Sequence, residues 1–197
     1  MKNFSIRVAN KTDIIFAEQI CKEYEESAKA RGTGIAKRNP DYVINKMIDG
    51  KSIIAFHKDG RWAGYCYIET WSHGEYVANS GLIVNPEFRK FGLASDIKEN
   101  IFKLSRKKFP NAKIFGITTS LAVMKINSKL GYKPVTFSEL TQDDNFWKGC
   151  SSCPNVDILE RNKRKMCLCT GMLYDDTKKS FISKLISEAK HLILGFL

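Results

Sequence analysis

Ile6 and Val8 alternate with polar neighbours across residues 5–9, the period-two pattern of a half-buried strand. From Thr12, a residue able to cap a helix, the apolar positions Ile15, Phe16, Ile20 and Tyr24 recur at helical spacing, and the pattern fades near Arg31-Gly32-Thr33-Gly34. Asn39-Pro40 offers a cap and a first-turn proline for a second short helix carrying Val43, Ile44 and Met47. Three strands are then predicted, over 53–57, 62–71 and 76–84. Asp59-Gly60 turns the chain between the first two, and Ser72-His73-Gly74-Glu75 between the second and third. Ser80-Gly81 interrupts the third strand and predicts a bulge there.

After Asn85-Pro86 the period changes. Leu93, Ile97, Ile101, Phe102 and Leu104 mark a long helix over 88–109, ended by Pro110. A strand over 113–118, a helix over 120–130 stopped by Gly131 and a strand over 132–137 follow. Residues 141–157 read as polar and irregular, and 164–173 as the last strand. The order predicts an α/β (α+β) domain: a mixed sheet of about six or seven strands flanked by helices. The domain is expected over 1–175, with a cysteine-containing insert at about 141–163, and an amphipathic helix over 176–197.

Composition narrows this little. Of the 197 residues, 43% are hydrophobic and 27% charged, as in an ordinary globular chain. The start carries no secretory signal pattern, and no stretch approaches the roughly 20 apolar residues of a spanning helix, so a cytoplasmic location is expected. The formal charge of +11 favours anionic partners. The basic residues are spread out, however, and no zinc-finger helix, RNA-binding signature or aromatic-basic stacking array is present, so no nucleic-acid partner is expected.

The most informative stretch is Leu82-Ile83-Val84-Asn85-Pro86-Glu87-Phe88-Arg89-Lys90-Phe91-Gly92-Leu93-Ala94. A strand ends, a basic turn follows and a helix begins. Helix N-termini present unpaired N–H groups and a positive dipole end, and so bind anions. Gly92 and Ala94 allow close approach to the backbone, while Arg89 and Lys90 add donors for phosphate.

Arg89-Lys90-Phe91-Gly92-Leu93-Ala94 resembles motif A of the GCN5-related N-acetyltransferase (GNAT) superfamily, Arg/Gln-x-x-Gly-x-Gly/Ala. Lys125-Ile126-Asn127-Ser128-Lys129-Leu130-Gly131-Tyr132 is similar to that family's second landmark. The resemblance implies an enzyme that moves an acyl group from acetyl-CoA or another short acyl-CoA to an amine. It implies that the amides of residues 89–94 hold the CoA pyrophosphate, that Leu82, Ile83 and Val84 pair with the pantetheine, and that Ser120 and Asn127 lie beside it. One departure matters. Asn127 stands where the family commonly has a tyrosine that protonates the leaving thiolate, and an amide is no general acid.

The amine must also lose a proton. Glu69 is favoured as base, with His73 second. Arg31, Lys37 and Arg38, in the loop joining the first two helices, suit a carboxylated acceptor. More loosely, the chain resembles bacterial N-acylglutamate synthase-like acyltransferases of arginine biosynthesis, which implies a small acidic acceptor such as glutamate. A protein acceptor, or an acyl-CoA sensor without turnover, are the competing readings.

Cys150-x-x-Cys153 and Cys167-x-Cys169 offer four thiols. Placed on one strand, Cys167 and Cys169 would share a face, and four thiolates suit tetrahedral structural zinc. Free buried thiols and redox chemistry are the alternatives. In the terminal segment Phe181, Leu185, Ala189, Leu192 and Phe196 form one stripe, which predicts docking on the parent domain or homodimerisation.

Overall fold

The computed structural model describes residues 3–32 and 38–176. The expected terminal helix, Lys37 and the side chain of Arg31 lie outside the described residues. The elements are β1 (Phe4–Val8), α1 (Ala17–Arg31), α2 (Pro40–Ile48), β2 (Ser52–His57), β3 (Trp62–Trp71), β4 (Tyr76–Val84), α3 (Leu93–Lys108), β5 (Lys113–Thr118), α4 (Leu121–Lys129), β6 (Lys133–Val135), α5 (Asp144–Lys148), α6 (Val156–Arg161) and β7 (Thr170–Tyr174). They build a seven-stranded sheet in the order β1-β2-β3-β4-β5-β7-β6. The β4–β5 pair is parallel and the other pairs are antiparallel.

Local chemistry explains the boundaries that differ from expectation. The first helical segment is capped by Asn10, whose side chain accepts from Thr12 N–H, and it runs as a 3-10 helix over Lys11–Phe16 before α1. Asp13 closes that turn by accepting from Asn10 N–H and from both Arg7 nitrogens, at 2.7 and 2.8 Å. Burial pushes the Asp13 carboxyl up, and the bonds from Arg7 and Asn10 outweigh it, leaving the pKa below the ordinary value. α3 begins at Leu93 rather than residue 88. Pro86–Phe88 forms its own short turn, and Gly92, at φ 79°, breaks the chain before the helix.

The sheet has two unlike faces. On one, α1 and α2 cover Ile54, Tyr65, Tyr67 and Ile83. On the other, Leu93, Ile97 and Ile101 of α3 pack on Ile53, Ala55, Cys66, Ile68 and Val77, joined by Met124 of α4. Alternation along β3 assigns the faces: Tyr65 and Tyr67 point to one, Cys66 and Ile68 to the other. The insert adds a third cluster, in which Phe146, Trp147 and Leu159 pack on Ala78, Phe115 and Leu173.

The expected bulge is present. Tyr65 pairs with Ile83 and Tyr67 with Ser80, so Gly81 and Leu82 stand opposite the single residue Cys66. A bulge bends its strand, and the consequence shows on the far side of β4. Tyr76, Val77 and Ala78 pair with β5, and beyond Ala78 the two strands part. Gly81 is required at the bend. Its φ is +63°, and a Cβ there would sit 2.2 Å from the Tyr67 ring and 2.6 Å from Tyr24 Oη. The same Tyr24 hydroxyl donates to the Gly81 carbonyl and ties the bend to α1.

Gly81→Ala should therefore destabilise the fold by at least about 2 kcal/mol, from overpacking and a strained φ together. Urea unfolding of the two proteins measures this, and an unchanged midpoint would show that the bend is not held in this way.

Candidate functional site

Where β4 and β5 part, a groove crosses the domain. Its first part, about 410 Å³, is lined by Val84, Arg89, Lys90, Gly92, Leu93, Ala94 and Ser95 on one side and by Ala122, Lys125 and Ile126 of α4 on the other. Its second part, about 860 Å³, continues along Leu82, Gly81, Ser80 and Asn79, with Ser120, Val123 and Asn127 facing them. Leu82 lies two residues from Val84, and Asn127 directly follows Ile126, so β4 and α4 wall both parts.

The first part opens on the N-terminus of α3. Gly92 is the N-cap residue, no side chain caps the helix, and a Cβ built on Gly92 meets no atom within 4 Å. The first amides of α3 thus face open space, the arrangement that binds an anion. Lys90 is exposed at φ 70°, and Phe91 is 63% exposed. Arg89, expected as a phosphate ligand, lines this part. Its guanidinium turns back to donate to Glu23 at 2.6 Å, Ser27 at 2.9 Å and the Val84 carbonyl at 3.1 Å. It braces the loop against α1. Lys125, reaching in from α4, is the cation that sequence reasoning did not assign.

The second part holds the polar residues. Glu69 and Trp71, two apart on β3, both line it, beside Tyr42 of α2 and Arg38. Tyr42 donates its hydroxyl proton to the Glu69 carboxylate. Arg38 donates to Tyr67 Oη at 2.6 Å and lies 5.8 Å from the Tyr42 ring centroid. Burial raises the pKa of the Tyr42 hydroxyl, and the neighbouring Glu69 charge raises it further. Of the three basic residues expected at the acceptor, Arg38 is the one whose side chain is described, and it lies in the cleft. His73 is not in the cleft. β3 ends at Trp71, and Ser72 and His73 adopt φ of 50° and 55°, which turns His73 out to solvent. Had the strand continued, period two would have kept it beside Glu69 and Trp71.

Ser120 caps α4 by accepting from Val123 N–H at 3.4 Å. Asn127 is 1% exposed, and its side-chain oxygen has no partner. A buried amide left unsatisfied is unusual, and one lining a groove points to a ligand that bonds it.

The insert forms the remaining wall through Phe146, Gly149, Cys150 and Cys153, with Cys169 beside them. It is not irregular, because α5 and α6 order it. Phe146 packs edge-on against Trp71 and Phe115, with ring centroids 5.5 and 5.1 Å apart. Trp147 Nε1 donates to the Thr141 carbonyl at 3.0 Å, and Ser72 Oγ meets Thr141 Oγ1 at 2.9 Å. This aromatic and hydrogen-bonded packing fastens the insert.

Three of the four cysteines expected to hold zinc, Cys150, Cys153 and Cys169, line the cleft. Among the described residues no group of three or more His, Cys, Asp or Glu is arranged to hold a metal ion. β7 starts at Thr170, so Cys167 and Cys169 precede the strand, and Cys167 Sγ donates to the Asn155 carbonyl at 3.7 Å. The thiols are nevertheless neighbours. Burial first, then the adjacent cysteines, push Cys150 up to about 11 and Cys169 up to about 12. All six cysteines are free.

No protein-family model matches the chain, and no curated protein matches it in sequence. Solved structures do resemble it. The N-acetylglutamate synthase of Neisseria gonorrhoeae, complexed with coenzyme A and N-acetyl-glutamate, gives a TM-score of 0.60 at 16% identity, over 86% of this chain and 34% of that one. The present chain thus spans about a third of that synthase. Rv2747 of Mycobacterium tuberculosis, in complex with CoA, gives 0.60 at 16% identity, over 87% of this chain and 98% of that one. yncA of Salmonella typhimurium, with acetyl-CoA, gives 0.59 at 14% identity, over 88% and 94%. The fold is that of the GNAT acetyltransferases, as the sequence motifs implied.

Because alkylation needs the thiolate, raised thiol pKa values suppress it at neutral pH. Iodoacetamide should leave Cys150 and Cys169 largely unmodified near pH 7.5 and label them steeply above about pH 10, as read by peptide mass spectrometry. Fast labelling of both at neutral pH would contradict the burial described.

Proposed function

We propose that this chain is an acyl-CoA-dependent N-acyltransferase whose acceptor is a small amine bearing a carboxylate. The observation that carries the reading is a pair of pockets, both walled by β4 and α4, the first at the bare α3 N-terminus and the second holding Arg38, Tyr42 and Glu69. The helix end and Lys125 suit a pyrophosphate. The edge of β4 over 82–84, freed by the parting from β5, suits the amides of a pantetheine arm. Coenzyme A carries both in this order. The structures that resemble this chain include complexes with CoA and with N-acetyl-glutamate, which supports both donor and acceptor class.

Each residue then has a task. The groove sets the donor along β4, and the cleft sets the acceptor against it, so two reactants meet in a fixed orientation. Arg38 pairs with the acceptor carboxylate, adding to its bond with Tyr67. Glu69 receives a proton from the acceptor ammonium, directly or through one water, with Tyr42 orienting its carboxylate. The freed amine attacks the thioester carbonyl. Backbone N–H groups released from pairing at the Gly81–Leu82 bulge face the developing oxyanion. Trp71 and Phe146 close the acceptor side with apolar surface.

The direct test is thiol release from acetyl- and succinyl-CoA across a panel of free amino acids, glutamate included. Release that depends on one acidic amino acid supports the reading. Turnover of protein or peptide amines alone replaces the acceptor, and CoA binding with no turnover in any assay replaces the enzyme with a sensor. Two substitutions probe the ends of the groove. Gly92→Asp sets a carboxylate before the helix end and should weaken CoA binding roughly 100-fold or more, about 2.7 kcal/mol by calorimetry. Arg38→Ala should raise the acceptor KM roughly 10-fold or more while leaving the donor KM nearly unchanged, the signature of one lost charge-assisted bond. An equal rise in both would remove Arg38 from the acceptor site.

A further inference from the structure

Lys98 is the least expected residue of the domain. It sits on α3, is 2% exposed, and lines the cleft. Lysine is almost never buried to this degree unless paired. Among the described residues no carboxylate pairs with it. Its one hydrogen bond is from Nζ to the Asn79 carbonyl, at 2.9 Å. The Tyr132 ring centroid is 6.0 Å away. An ammonium has three donors, so two are left over. A charge buried with so little compensation costs stability, and a structural core would be better served by an apolar side chain.

Its position suggests what the cost serves. Asn79 lies at the point where β4 leaves β5, next to the bulge. From Val84 to Asn79 is five strand residues, roughly 16 Å at 3.3 Å per residue. This is the stretch along which the proposed donor arm runs, so the thioester end arrives at Asn79, Ser80 and Gly81. Asn79 is itself held rigid: its side chain donates to Ser105 Oγ at 2.7 Å and accepts from Tyr132 Oη at 3.0 Å. Lys98 Nζ is thus fixed from the α3 side of the sheet, the face opposite Glu69 and Tyr42.

Resting on the proposed acyl transfer, we infer that Lys98 is the acid of the reaction: its ammonium gives a proton to the CoA sulfur as the thioester C–S bond breaks. The other groups do not fill this role. Asn127 has no proton to transfer at ordinary pH. Tyr42 donates to Glu69, on the acceptor side. The Tyr132 hydroxyl is committed to Asn79, and burial raises its pKa further. In the step, the amine nitrogen has bonded to the carbonyl carbon, and the C–S electron pair moves to sulfur. The sulfur takes a proton from Nζ and leaves as a thiol. Neutral Lys98 is then reprotonated from solvent, offsetting one of the two protons the acceptor nitrogen releases. Burial lowers the Nζ pKa and so makes its ammonium a stronger acid, while nearby Cys66 on β3 acts in the opposite sense. The titratable groups facing Nζ are Cys66 from β3, whose Sγ donates to the Ser80 carbonyl, and Tyr132 from beyond α4; β4 contributes only amides there.

The test compares wild type with Lys98→Met, which keeps the shape without the charge. A functional lysine predicts a variant that melts no lower than wild type and binds CoA equally. Its kcat should fall roughly 100-fold or more, the usual contribution of a general acid. Wild-type kcat should fall at high pH as Nζ deprotonates, and that limb should vanish in the variant. An acyl donor with a more acidic aryl thiol should recover most of the loss, since such a thiolate leaves unaided. A purely structural lysine predicts lowered melting and CoA affinity, with equal deficits for both donors and an unmoved pH profile. That result, or unimpaired kcat in the variant, overturns the inference. Absence of turnover by wild type itself would instead count against the proposed function.

Discussion

The extra residue in β4 opposite Cys66 is the constraint from which the site follows. A regular β4 would pair with β5 along its length, and the sheet would be closed to any ligand. The bulge bends β4 so that pairing stops at Ala78. Beyond it, the two strands no longer bond to one another and a gap opens between them. Two aromatic hydroxyl-bearing rings, Tyr24 and Tyr67, hold the bend at a residue that must be glycine. Function here begins as a packing requirement on the α1 side, felt on the far edge of the same strand.

The gap also lets the two faces of the sheet cooperate. The bare helix end, Lys125, Asn127 and Lys98 belong to the face covered by α3 and α4, and they suit an anionic donor. Arg38, Tyr42 and Glu69 belong to the face covered by α1 and α2, and they suit an amine with a carboxylate. A single pocket on one face would have to accept two charged reactants through one mouth. In the proposed reaction each approaches from its own side, and the reacting atoms meet where β4 and β5 have parted. The insert extends the core through Trp147 and Leu159 and sets Phe146 against Trp71 at the edge of the cleft.

Much of this was legible in the residues. The strand and helix periods gave the element order, Ser80-Gly81 marked the bend, and the basic glycine turn before residue 93 marked the helix end. What was hidden has physical reasons. Arg89 reads as a phosphate ligand because charge and position agree, but Glu23 and Ser27 come to it from α1, 66 and 62 residues away in sequence. His73 follows Glu69 and Trp71 at period two, and only the positive φ values of Ser72 and His73 break the series. The cysteine spacing resembles a metal knot, yet the insert owes its order to Phe146, Trp147 and Leu159. Lys98 was hidden too: within the helical stripe it looks like a solvated lysine adjacent to Ile97.

The placement of Lys98 and Glu69 on opposite faces gives the proposed reaction a direction. An amide is formed from an ammonium and a thioester, so protons must leave the nitrogen and one must reach the sulfur. With Glu69 on the acceptor side and Lys98 on the donor side, the two proton transfers of the proposed reaction fall to separate groups on opposite faces. A tyrosine at position 127 would put a neutral acid in the donor wall. An asparagine there, 1% exposed and with an unpaired side-chain oxygen, cannot transfer a proton but can hold one partner in place. The buried charge one helix away then ceases to be an anomaly of packing. It is the cost, in folding stability, of moving the acid from α4 to α3.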